Sequence, residues 1–106
     1  MRLRERDKRD VTLRACTGFD DDVYLWGEAA QIRAAIYPNR REIDVKVYGD
    51  KIVDTRIMLY DGDEKLEVGM GVAEDGSVPM WRIKSVEGWD HQAAVLELIP
   101  EGRRGT

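Results

Sequence analysis

Apolar and polar residues alternate along most of this chain, with the two-residue period of half-buried strands. Val11, Leu13 and Ala15 alternate with Thr12, Arg14 and Cys16, which predicts a first strand. Thr17 to Asp22, rich in Gly and Asp, predicts the turn after it. Val23 to Ile36 carries two signals. Ala29, Ala30, Ala34 and Ala35 favour helix by propensity. Yet Ala30, Ile32, Ala34 and Ile36 alternate with Ala29, Gln31, Arg33 and Ala35. The alternation predicts a strand over residues 29–37, with Trp26 packing near its start and Pro38 closing it.

Residues 38–54 form the next unit. Ile43, Val45 and Val47 alternate with Asp44, Lys46 and Tyr48, a strand-like block between charged, turn-like flanks. The same text fits a long β-loop that orders only in an assembly, with Asp44 and Lys46 on one side and the apolar residues on the other. Thr55 to Tyr60 resumes strand character, and Asp61-Gly62-Asp63 turns the chain. Leu66, Val68, Met70 and Val72 read as one strand face, with Gly69 and Gly71 marking a bend or a close backbone approach. Residues 73–79 form a loop. Met80–Val86 and Ala94–Leu98 then make a hairpin across Gly88-Trp89-Asp90-His91, and Pro100 ends it ahead of a mobile tail. The expected fold is all-β: a small antiparallel barrel or sandwich of five to six strands, with a long loop between strands 2 and 3.

Length and charge narrow this further. The chain has 106 residues, one domain's worth, and no internal repeat. Lys and Arg number 17 against 21 Asp and Glu, a net charge of −4. A net-acidic domain lacks the positive field that general nucleic-acid binding needs. Residues 1–10 form a charged arm whose basic members, Arg4 and Arg6 among them, suit either solvent or a neighbouring subunit. No apolar segment follows that arm, so it does not read as a signal peptide, and no apolar run reaches the ~18 residues of a membrane span. The expected location is the cytosol.

The residues offer little for catalysis. A lone Cys16 and a lone His91 fall short of a metal-ligand set. Asp20-Asp21-Asp22 and Asp61-Gly62-Asp63-Glu64 lack the alternate spacing of a calcium loop. Gly69-Met70-Gly71 lacks the Lys-Ser/Thr of a phosphate loop. No catalytic centre, metal site or cofactor is expected. Trp26, Trp81 and Tyr60 read as core or core-edge residues. Trp89 sits in a turn, where it either folds back on the barrel or anchors a partner.

Several segments taken in order resemble one family. They are Arg9-Asp10-Val11-Thr12-Leu13-Arg14 followed by an Asp/Gly turn and Trp26, then Ile32-Arg33-Ala34-Ala35-Ile36-Tyr37-Pro38, similar to a "v-x-A-x-i-x-P" segment. Next come Asp44-Val45-Lys46-Val47-Tyr48-Gly49-Asp50-Lys51-Ile52, Tyr60-Asp61-Gly62, and Glu67-Val68-Gly69-Met70-Gly71-Val72. The closing hairpin with Trp81, Trp89 and Leu96-Glu97-Leu98 completes the set, which spans residues 8–99. Together they resemble the head–tail joining (head-closure, or stopper) proteins of tailed bacteriophages, close to prophage and defective-phage members. Residues 73–79 depart from the pattern and carry no family signature.

The resemblance implies a structural, non-enzymatic virion protein made in the bacterial host cytoplasm and placed at the head–tail interface. It implies a ring of copies of this chain, twelve-fold, that is monomeric alone. The ring would stack between the portal or adaptor and a tail-completion or tail-terminator protein. The 38–54 loop would project into the channel and block packaged DNA sterically. On this chain the loop's residues are Arg40, Arg41, Glu42, Ile43, Asp44, Val45, Lys46, Val47, Tyr48, Asp50 and Lys51, with Trp89, Arg4 and Arg6 as further partner contacts. Two other readings fit the same text. A tail-terminator or adaptor of the same joint would form a six-fold ring. An SH3-like binding module would stay monomeric and offer an aromatic groove around Trp81 and Trp89.

Overall fold

A computed structural model describes residues 5–74, 76, 78–88 and 91–105. Its strands are β1 (Arg9–Asp20), β2 (Val23–Pro38), β3 (Thr55–Tyr60), β4 (Gly71–Ala73), β5 (Trp81–Glu87) and β6 (Gln92–Leu98). All pairings are antiparallel, and the order β1-β2-β3-β6-β5-β4 closes into a barrel. The expected all-β barrel is therefore the observed one. Closure removes most of the free edge that an open sheet of this size would expose.

The period-two pattern is what fills the barrel. Val11 and Leu13 from β1, Ile32, Ala34 and Ile36 from β2, Met58 and Tyr60 from β3, Trp81 and Ile83 from β5, and Ala94 and Leu96 from β6 form one buried cluster. Successive strand side chains point to opposite faces, so each strand contributes alternate residues. The helix-favouring alanines of β2 thus sit in a strand, because Ile32, Ala34 and Ile36 bury only in that periodicity.

Two boundaries differ from expectation. β1 runs through Thr17–Phe19, and only Asp21 and Asp22 turn, with φ of 51° and 63°. Two left-handed residues between paired Asp20 and Val23 make a type I′ hairpin, whose twist matches the strands it joins. Asp tolerates that region better than most residues. The stretch 66–70 is not a strand: Leu66 is buried, Val68 is exposed, and Gly69 turns the chain at φ 95°. Gly71 does mark a close approach, because a Cβ there would lie 2.6 Å from both the Trp26 ring and Pro79.

The tail is also placed against the barrel. The Trp26 indole Nε1 donates to the Arg104 carbonyl at 2.7 Å, and Arg104 Nε donates to the Ile99 carbonyl at 2.9 Å. These two bonds dock Arg104 on the barrel. At the other end, Lys8 Nζ lies 3.0 Å from Asp61 Oδ1 in a mostly buried ion pair, which ties the start of β1 to the loop after β3.

Candidate functional site: the 38–54 insertion

The β2–β3 connection lies where the sequence places it, but it is not a β-loop. Glu42–Tyr48 forms a short helix, α1, and Gly49–Asp54 continues as a 3-10 turn. The strand reading of Ile43–Tyr48 is corrected by the side chains on the inner face. Residues 44 and 48 are one helical turn apart, so they share a face. Asp44 is 8% exposed and accepts from Asn39 Nδ2 at 3.2 Å and from Arg41 Nε at 2.6 Å. The Tyr48 hydroxyl donates to Glu97 Oε2 on β6 at 3.2 Å. Arg41 also reaches across to Glu87 at the end of β5. The helix is thus pinned at both ends to the outer wall of the barrel by polar groups.

Local signals agree with the helix. Glu42 and Asp44 occupy its first turn, where the helix dipole favours negative charge, and Lys46 occupies its last. Glu42 and Lys46 pair at i, i+4 with 3.8 Å between their charged atoms. Gly49 ends the helix at φ 58°, its N–H donating to the Val45 carbonyl. The buried Asn39 takes the Arg41 N–H on its side-chain oxygen at 3.1 Å and so shapes the entry. At the exit, Thr55 Oγ1 donates to the Ile52 carbonyl at 2.7 Å.

The outer face is the unusual one. Ile43 is 69% exposed, Val47 73% and Val53 70%, with Val45 also open to solvent. An ordinary surface helix buries its apolar stripe and shows its charges. Here a carboxylate faces the protein and aliphatic residues face outward. The expected pairing of Asp44 and Lys46 on one side is therefore wrong: Asp44 is buried and Lys46 is exposed. Below the 3-10 turn, Pro38, Ile52 and Val53 border a groove of about 370 Å³, with Arg40 and Arg56 on its rim.

Titration follows these contacts. The hydrogen bond from Arg41 holds the Asp44 carboxyl below the usual carboxylate range, and burial opposes it. The same bond raises Arg41. Burial, reinforced by the Glu97 carboxylate, pushes the Tyr48 phenol up. All three groups stay in the form that holds α1 in place near neutral pH.

Other expected site residues distribute as follows. Asp50 and Lys51 are exposed in the 3-10 turn. Arg6 is exposed, its Nε 3.9 Å from Asp7 Oδ1. Arg4 and Trp89 lie outside the described residues. Trp81 is buried, with its indole Nε1 donating to Glu74 Oε2 at 3.0 Å, so it is no wall of an aromatic groove. Asn39, Glu87 and Glu97 are the members that sequence reasoning missed; the two glutamates are remote in sequence and nothing local marks them. Among the described residues no helix is long and apolar enough to cross a membrane. Compared with known proteins, the chain matches no family model, no curated protein and no solved structure.

Proposed function

We propose that the chain is a structural subunit of a tailed-phage head–tail connector. Copies form a ring, twelve-fold in the virion, between the portal or adaptor and the tail. The ring closes the head after DNA packaging and gives the tail its attachment surface. The observation that carries this reading is the inverted polarity of the 38–54 insertion. Ile43, Val45, Val47 and Val53 are displayed on a surface segment that polar contacts hold down. Exposed apolar residues clustered on one segment are what a subunit contact consumes.

Polar tethers of this kind are exchangeable. Each costs little to trade for an equivalent contact elsewhere, because the net worth of a hydrogen bond is only about 1 kcal/mol. Apolar burial against a neighbour offsets the trade at roughly 25 cal/mol per Å². Copies related by rotation make such contacts head-to-tail, and the chain of contacts closes into a ring. A net charge of −4 per subunit lets DNA pass without sticking, while the insertions block it sterically.

The test is to replace residues 40–50 by a short Gly-Ser linker. The barrel should fold, since its core cluster draws nothing from the insertion, and assembled particles should fail to retain DNA. Particles of the trimmed protein that hold their DNA would refute the plug role.

A further inference from the structure

A second surface, formed by β5, β6 and the tail, carries cations without carboxylate partners. Arg82 and Lys84 on β5 and Arg103 in the tail line one cavity of about 260 Å³, together with Tyr24, Leu98 and Glu97. Several cations of this protein are matched. Lys8, Arg9, Arg33, Arg41 and Lys46 all lie within ion-pair distance of a carboxylate. Among the described residues Arg82, Lys84 and Arg103 make no such pair. The Arg82 Nε is buried and has no hydrogen-bond partner.

That orphan donor is held in place by its surroundings. The Arg82 guanidinium carbon lies 5.2 Å from the centre of the Tyr24 ring. Tyr24 is itself packed between Phe19 and Trp26, its ring tilted to both, at centroid distances of 4.9 and 5.5 Å. Trp26 in turn holds the tail through the Arg104 carbonyl, which fixes Arg103 beside the cavity. A buried donor left unmatched costs free energy, and an acceptor that drew the guanidinium into the cavity would relieve that cost.

We propose that this cavity binds a carboxylate side chain of an acidic polypeptide segment on a partner protein. The cations supply the charge complement, and a carboxylate is matched by the planar fork of an arginine. Leu98 and Tyr24 provide apolar wall for the side chain's stem. The net charge of −4 disfavours a nucleic-acid backbone. The proposal does not depend on the head-closure reading.

The test is an NMR titration of the full chain with a capped hexaglutamate peptide at low ionic strength, with capped hexaglutamine as control. Saturable shifts should centre on Tyr24, Lys84, Leu98 and Arg103 and fade with added salt. The Lys84→Gln/Arg103→Gln double variant, altered only at exposed side chains, should weaken binding by about tenfold or more. Arg82→Lys, which keeps the charge and loses the fork, should weaken it with the barrel's spectrum intact. Equal response to hexaglutamine, unchanged binding by the double variant, or tighter binding of a short DNA duplex to the same residues would each overturn the proposal.

Discussion

Two stretches of this chain carry nearly the same pattern and meet opposite fates. Gln92–Leu98 places Ala94 and Leu96 in the barrel and becomes strand β6. Ile43–Tyr48 alternates at least as cleanly, yet it coils into α1 and leaves its aliphatic residues in solvent. Alternation states which residues could share a sheet face; it does not supply the sheet. β6 has partners on both sides, β3 and β5. The insertion finds Glu87 and Glu97 as polar partners and takes the conformation that brings Arg41 and Tyr48 to them, with Asp44 bracing Arg41. Intrinsic β-preference of Ile and Val is weak enough to be overridden in this way.

The comparison can be broken at its strong half first. Ile83→Ala or Leu96→Ala should cost about 2–5 kcal/mol of global stability, read from urea unfolding, because both side chains are fully buried in the shared core. Removing the lock on the weak half should act locally. Asp44→Ala should raise amide exchange across residues 42–48 by an amount equivalent to about 1–3 kcal/mol, with the urea midpoint of the barrel nearly unchanged. If the midpoint falls as far as it does for Leu96→Ala, the two regions are one cooperative unit and the contrast fails.

Smaller effects sharpen the picture. Trp26→Phe removes the donor to the Arg104 carbonyl and should cost about 1 kcal/mol, visible as faster exchange in residues 101–105. Acid should loosen α1 ahead of the barrel. The native Asp44 carboxyl titrates below its ordinary value of 3.8, so its contribution is fully present above that value. It is lost as pH falls through the lower native one. Alkali should do the same from the other side, because the native Tyr48 phenol titrates above its ordinary value of 10.0. Its contribution is present below that value and lost as pH rises through the raised one. The smallest expected effect is on the outer face: Ile43→Lys and Val47→Lys should change the isolated protein's stability by no more than about 0.5 kcal/mol. The same changes should stop it assembling.

Much of the barrel was legible because its strands bury alternate residues, as Trp81 with Ile83 and Ala94 with Leu96 show. The β1–β2 turn was placed in the right region but too broadly. Gly18 and Phe19 look like turn residues, yet they pair with Leu25 and Tyr24. The candidate site was legible in position, since residues 38–54 do connect β2 to β3. It was not legible in conformation. What decides between strand and helix there is a carboxylate buried against Arg41 and Asn39, and two glutamates from β5 and β6. Periodicity is a local property, and those partners are distant along the chain. Nothing in residues 100–105 reveals the Trp26 indole that donates to the Arg104 carbonyl.

Solution mass tests the central claim most directly: light scattering of the chain alone and mixed with a portal-side connector assembly. The account predicts a monomer alone and a bound ring of copies once the assembly is added, a ring that Ile43→Lys and Val47→Lys abolish. A chain that stays monomeric with every connector component, or a ring indifferent to those substitutions, would contradict it.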